Sequence, residues 1–282
     1  MDATAPGPDG PARVEDAGAA RFGVLGWPVG HSRSPAMMRA AGLARYQRLP
    51  VAPAVLADTV RALHGAGFRG ANVTIPHKEA ALALATTASD AAREIGAANT
   101  LTFGEAGEIA ADNTDAPGLI AALGDRPRRS ALVLGAGGSA RAAVWALARA
   151  GADVAIWNRT PRRAEGLGAR VVDRAVGADV LVNCTSVGLD RSSMPFKELP
   201  LDADGLTEYA TVVDLVYNAG ATMLIQEAVH RGISTVDGLE ILVCQGALSF
   251  TIWTGQPAPL DSMRTAARDA RSEAQCAPNP FH

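Results

Sequence analysis

Lys78 stands where a lysine is least at home. It follows Pro76 at the head of "PHKEAALALA", an Ala/Leu-rich run that reads as a helix, with Pro76 suited to the first helical position and Lys78 in the first turn. Backbone N–H groups there carry partial positive charge, which disfavours an ammonium, whereas a facing carboxylate favours it. Asn99 in "GAANTL" and the run Asp112-Asn113-Thr114-Asp115 supply polar groups that could meet it. A lysine held between such opposed influences can take a proton from an alcohol and return it to a ketone, which is general acid–base chemistry. Lys78 and Asp115 are the catalytic candidates. Each also has a plainer reading: Lys78 reaching out to solvent, and Asp115 capping the helix that begins near Pro117. Lys78 brings no visible structural gain at its position, and that favours chemistry.

An alcohol oxidised in this way needs a hydride acceptor, and a glycine loop offers a place for one. "ALVLGAGGSARAAVWALARAG" joins an apolar strand to a helix through Gly135, Ala136, Gly137, Gly138, Ser139 and Ala140, a G-x-G-x-x-A pattern. Gly135 suits the tight turn, Gly137 lets backbone approach a pyrophosphate, and Ala140 permits close helix packing. A plain tight turn is the alternative. The next strand, "DVAIWN", ends in Asn158-Arg159-Thr160-Pro161-Arg162-Arg163 where an NAD site carries an acid. Arginine and threonine can hold a 2′-phosphate, so NADP is favoured over NAD. Asp153 does not restore the NAD reading, because it starts that strand, roughly 13 Å from its end at ~3.3 Å per residue. An exposed basic loop is the other interpretation of these arginines.

"GHSRSP" places Ser32 and Ser34 on either side of Arg33. In an extended segment alternate side chains point the same way, so both hydroxyls could donate to one carboxylate; helix capping is the alternative use. His31 and His77 adjoin these residues, but no Cys/His/carboxylate cluster accompanies them. We expect them to be structural or to stand behind the residues that touch ligand, and expect no metal.

Elements must bring these groups together. With 282 residues and 48% hydrophobic content the chain can build one large or two modest domains. "RFGVLG", "PVAPAVL" and "GANVTI" read as strands alternating with helices, and "GAANTLTF" as an antiparallel edge. A second alternating block runs from "SALVLG" through "ADVLVNC" and "ATVVDLVY" to "TMLIQEAVHRGISTVDG", its short apolar strands typical of a buried parallel sheet. The helix from Leu239 to Gly255 is apolar on most faces and must pack between elements, docking back onto the first block. The net charge of −3 and the lack of a basic stripe argue against a nucleic-acid partner. Cys184, Cys244 and Cys276, odd in number and without CxxC spacing, are expected as free, inert thiols of a reducing, cytoplasmic setting. No stretch approaches the ~18 apolar residues of a membrane span. Residues 1–20, rich in Pro, Gly and acid, are expected to be a disordered leader, and residues 269–282 a disordered tail.

These residues resemble the shikimate dehydrogenase family from about Phe22 to Gly255, through "GHSRSP", "GANVTIPHKE", "GAANTL", "DNTD", "GAGGSAR", "NRTPRR", "NCTSVG", "DLVYN" and "DGLEILVCQGA". The resemblance implies an enzyme that reduces 3-dehydroshikimate to shikimate with NADPH. It also implies an α/β fold of two domains: a substrate domain with a mixed sheet, residues 21–114 plus 239–268, and a Rossmann-like doubly wound domain, residues 115–238. By motif position it assigns Lys78 and Asp115 to catalysis, and Ser32 and Ser34 to the substrate carboxylate. Thr74, Asn99, Asp115, Tyr217 and Gln245 fall where the ring hydroxyls are held. Gly135 to Ser139 match the pyrophosphate loop and Asn158 to Arg163 the 2′-phosphate clamp. Leu215 and Gly238 fall on the nicotinamide side, with Asp90 a further cofactor-side candidate. A quinate or aminoshikimate dehydrogenase is the rival within the fold, and a non-catalytic NADP or cyclohexene-acid sensor the rival outside catalysis. Monomer and homodimer both remain open. Three departures stand out: a short chain between "NRT" and "NCT", Met223 where proline is usual, and the acidic leader.

Overall fold

A computed structural model describes residues 21–190, 192–218 and 220–270; the expected leader and all but the first two residues of the expected tail lie outside the described residues. The described residues form two six-stranded sheets. In the first, β1 (Arg21–Gly26) pairs in parallel with both β2 (Tyr46–Pro50) and β3 (Phe68–Val73), while α1 (Ser34–Ala40) and α2 (Leu56–Gly65) make the crossovers. β1 is buried after its first residue, as a strand covered on both faces must be. α3 (Lys78–Ala83), β4 (Thr87–Ala88) and α4 (Asp90–Ile95) follow. β5 (Thr100–Phe103) then runs antiparallel to β3 and to β6 (Ile109–Asp112).

Two expectations for this lobe are corrected. The "PVAPAVL" strand lies earlier, at Tyr46–Pro50, and Pro53 opens a 3-10 turn, Pro53–Val55, that leads into α2. Proline fixes φ and lacks a donor, so residues 53–55 turn instead of extending the sheet. The antiparallel strand β5 is interior, not an edge, because β6 covers its far side. β6 is the short alternating stretch "IAAD", whose small alanines give a weak strand signal.

α5 (Asp115–Leu123) leads into the second sheet. There β7 (Ser130–Leu134), α6 (Gly138–Arg149), β8 (Asp153–Trp157), β9 (Arg170–Val171), β10 (Ala178–Asn183), α7 (Pro195–Glu198), β11 (Tyr209–Asp214), α8 (Met223–His230) and β12 (Ser234–Val236) follow in chain order. All pairings are parallel, in the order β12-β11-β10-β7-β8-β9. Strand order reverses between β7 and β10, and ligands of such sheets bind in the crevice at that switch point. Between β8 and β10, all described residues, the chain forms only a 3-10 turn, Pro161–Arg163, and the two-residue β9; the short "NRT" to "NCT" segment replaces a helical crossover. Met223 opens α8 at its exposed first position, behind Thr222, whose side chain caps the helix by accepting from Ile225 N–H.

α9 (Gly238–Thr254) returns to the first lobe. Asp237 caps it, Gly255 ends it in a left-handed conformation at φ +67°, and eleven of its residues are buried. Trp253 Nε1 donates to the Leu101 carbonyl at 3.1 Å and pins the helix to β5. α10 (Leu260–Asp269) buries Met263 and Ala267 against the same core as α1, so Asp269, assigned to the tail, ends a helix. Among the described residues no helix is long and apolar enough to cross a membrane.

Candidate active site

The sequence explains how Lys78 and Asp115 reach each other. α3 begins at Lys78, with His77 at its cap; Pro76 lies in the preceding turn, after a cis Ile75–Pro76 bond, and not at the first helical position. Asp115 begins α5. Capping there is done by Asn113, whose Oδ1 accepts from Ala116 N–H at 3.1 Å, so the Asp115 carboxylate is not consumed by its own helix. Lys78 Nζ donates to Asp115 Oδ2 at 2.7 Å and to Ser139 Oγ at 2.9 Å. Both charged side chains are largely buried, at 11% and 14% exposure, so the pair is little screened by solvent. Asp115 suits a helix N-terminus, and its charge together with the Ser139 acceptor offsets the unfavourable field at Lys78.

A polar network orients this pair. Asn99 Nδ2 donates to Asp115 Oδ1 at 3.0 Å and to Gln245 Oε1 at 3.1 Å, while Asn99 Oδ1 accepts from Thr114 N–H at 2.7 Å. The Asn99 amide is thereby fixed. Beneath it Asn72 Nδ2 donates to Ser249 Oγ at 2.9 Å, and Tyr46 Oη donates to Asn72 Oδ1 at 2.8 Å. Asn72 also lines the cavity above, and sequence reasoning missed it. Its signal was present: Asn72 and Thr74 alternate along one extended run and point the same way.

Two cavities meet at Lys78 and Ser139. The smaller, about 200 Å³, is bordered by Ser32, Ser34, Thr74, Asn99, Asp115, Tyr217 and Gln245. Leu215 and Gly238 lie on its second-lobe side. All the expected substrate residues are thus brought together. Tyr217 hydroxyl meets the Ser32 hydroxyl and the Arg33 N–H, while burial raises its phenol above the usual range. His31 also borders this cavity, whereas His77 Nε2 contacts the Val51 carbonyl at 2.7 Å in a structural role.

The larger cavity, about 360 Å³, is bordered by Gly135 to Ser139, Asn158, Arg159 and Arg163. Gly135 has φ +107°, and an added Cβ would come within 3.1 Å of the Cys184 carbonyl, so only glycine makes this turn comfortably. At Gly137 an added Cβ would meet nothing within 4 Å, which leaves open space over the loop backbone. Glycine turn, helix N-terminus and two arginines form a donor set that fits a dinucleotide phosphate. Thr160 does not border the cavity; its carbonyl accepts from Asn158 Nδ2 at 2.8 Å. Asp90 borders neither cavity: it starts α4 with an 89% exposed side chain paired to Arg93, where it complements its own helix terminus.

Cys184, Thr185 and Ser186 border both cavities, and no role had been read for them. They follow β10, which neighbours β7, and residues beyond the carboxyl ends of such strands face the crevice. Burial pushes the Cys184 thiol up, in keeping with an inert sulfur. Cys184 and Cys244 are free; Cys276 lies outside the described residues. Among the described residues no group of three or more His, Cys, Asp or Glu could hold a metal.

A doubly wound sheet whose glycine loop meets a lysine–carboxylate pair where two cavities join defines a two-lobed, dinucleotide-dependent dehydrogenase. The chain belongs to the shikimate dehydrogenase family. Residues 24–101 match the shikimate dehydrogenase substrate binding domain, and residues 238–268 the shikimate 5′-dehydrogenase C-terminal domain. An NADP(+) shikimate dehydrogenase of Thermus thermophilus is 45% identical over 268 residues, 89% of this chain and 98% of that protein. That of Maricaulis maris is 43% identical over 266 residues, 86% and 93% of the two chains. The crystal structure of a Thermus thermophilus shikimate 5-dehydrogenase with NADP(H) and shikimate superimposes with a TM-score of 0.81 at 43% identity, covering 89% of this chain and 99% of that one.

Proposed function

We propose that this protein interconverts shikimate and 3-dehydroshikimate with NADP, binding the ring acid between residues 21–114 plus 239–268 and the dinucleotide on residues 115–238. One observation carries the reading: Lys78 Nζ lies 2.7 Å from Asp115 Oδ2 at the seam where the two cavities join. A proton carrier belongs at that seam, because hydroxyl proton and carbon-bound hydride leave adjacent atoms. When bound, NADP accepts the hydride. Lys78, held by Asp115, takes the hydroxyl proton in oxidation and returns it to the carbonyl oxygen in reduction. Asn99 and Gln245 fix Asp115 and offer polar groups to ring hydroxyls, and Ser32, Ser34 and Tyr217 receive the carboxylate. Asn158, Arg159 and Arg163 receive the 2′-phosphate. The reading includes a cytoplasmic, small-molecule enzyme working as a monomer or a homodimer.

The test is nicotinamide absorbance with shikimate or quinate and with NADP or NAD. Turnover with shikimate and NADP is expected to exceed every other pairing. Preference for quinate with NAD would replace this reading by its nearest rival, and no turnover with any pair would favour a sensor.

A further inference from the structure

Arg33 performs a task that neither the acid–base pair nor the glycine loop accounts for. Ser32 and Ser34 border the smaller cavity, and Arg33 between them does not. Arg33 is instead buried. Nη1 donates to the Ala267 carbonyl of α10 at 3.1 Å, and Nη2 donates to the carbonyl of Asn218, beyond β11 in the second lobe. The guanidinium carbon also lies 5.9 Å from the centre of the Tyr217 ring. One planar, forked cation therefore joins three elements from two lobes, a geometry an ammonium cannot reproduce.

The joined loop is also anchored at its other end. Asp214 accepts from Asn183 Nδ2 at 2.9 Å, from Val216 N–H at 3.0 Å and from Thr222 Oγ1 at 2.6 Å. Tyr217 hangs between this anchor and Arg33, with its hydroxyl against Ser32 and the Arg33 N–H. The group that must complete a carboxylate site is thus delivered by the second lobe and set in place by an arginine of the first.

We propose that Arg33 is a positioning residue: by gripping Asn218 and α10 it sets Tyr217 beside Ser32, so that the carboxylate site is complete only where Arg33 joins the two lobes. This rests on the shikimate reading of the site. A merely structural arginine would shift stability and both Michaelis constants together. A positioning arginine separates them.

Steady-state kinetics with each substrate varied distinguishes the two. For Arg33→Ala the KM for shikimate is expected to rise about tenfold or more, with kcat and the KM for NADP changed less than about threefold. Arg33→Lys should fall between, since one ammonium cannot serve both carbonyls. In a double-mutant cycle, Tyr217→Phe should add less than about twofold once Arg33 is gone, because the two substitutions remove one arrangement. An unshifted shikimate KM, or independent multiplicative effects of the two substitutions, would overturn the proposal. If Arg33→Ala does not fold, Arg33→Lys and its cycle with Tyr217→Phe give the same readouts. Absence of turnover by the unsubstituted protein removes the functional reading and this inference with it; normal turnover with an unshifted variant KM removes the inference alone.

Discussion

Lys78 and Asp115 each hold the first position of a helix, and the N-termini of those helices meet so that Nζ and Oδ2 lie 2.7 Å apart. Neither residue is spent on capping, because His77 and Thr114 occupy the cap positions and Asn113 bonds the free N–H of Ala116. Lys78→Ala should therefore lower kcat by about 10²–10⁴-fold, the usual contribution of a positioned proton carrier, with little effect on the KM for NADP. Asp115→Asn should lower kcat in the same range and also raise the shikimate KM, since Asp115 borders the smaller cavity, the proposed seat of the ring acid. Retention of near-normal kcat by both variants would remove the pair from the mechanism.

Gly118 explains how a helix from the end of the chain reaches this pair. An added Cβ there would sit 2.8–2.9 Å from the N, Cα and Cβ atoms of Gln245, closer than packed atoms allow. Gly118→Ala must push α5 and α9 apart or strain both, an overpacking that costs about 1–3 kcal/mol. Urea denaturation should show that loss. Because Gln245 accepts from Asn99 Nδ2, the shikimate KM should rise as well. A variant with unchanged stability and KM would show that the interface yields without moving Gln245.

Much of this site was legible because side-chain chemistry and position coincide in short stretches. Gly135 needs its positive φ, Ser32 and Ser34 alternate, and Lys78 sits where no structural advantage accrues. The interior place of β5 was not legible, since "IAAD" carries little apolar or β-branched signal and only pairing with β5 makes it a strand. Asp90 is hard to place for a related reason: an acid in a first turn serves its own helix, and nothing local tells whether the turn faces a cleft or solvent. Arg33 shows the deepest limit. Its partners Asn218 and Ala267 are 185 and 234 residues away, and tertiary folding alone brings them together.

Arg159 and Arg163 border the larger cavity just past the end of β8, where a 2′-phosphate would lie against the adenosine ribose. Hydrogen bonds to a charged group contribute about 1.5–3 kcal/mol, so Arg159→Ala should raise the KM for NADP by about tenfold or more. The KM for NAD, which lacks that phosphate, should change little. Equal effects on the two cofactors would mean that the arginine holds some other part of the dinucleotide.

Asp214 makes the loop carrying Leu215 and Tyr217 sensitive to pH. Burial raises its carboxyl to about 6, against hydrogen bonds from Thr222, Val216 and Asn183 that favour the charged form. The folded state thus binds the proton more tightly than the unfolded chain does. Between about pH 4 and pH 6 the unfolded chain has released this proton while the folded protein retains it, so the Asp214 contribution to stability is full at low pH and is lost as pH rises through about 6. A shift of about two units corresponds to about 3 kcal/mol. Asp214→Asn removes the titration while keeping the shape, so the wild-type stability minus that of the variant should fall by up to about 3 kcal/mol between pH 4 and pH 7 in urea denaturation. The same substitution puts an amide NH2 in place of one carboxylate oxygen, either the Oδ2 that accepts from the Thr222 hydroxyl or the Oδ1 that accepts from Val216 N–H and Asn183 Nδ2, so at pH 7 it should also loosen the loop and raise the shikimate KM. A stability difference that stays flat with pH would show that Asp214 titrates alike in the folded and unfolded chain, its three donors balancing its burial.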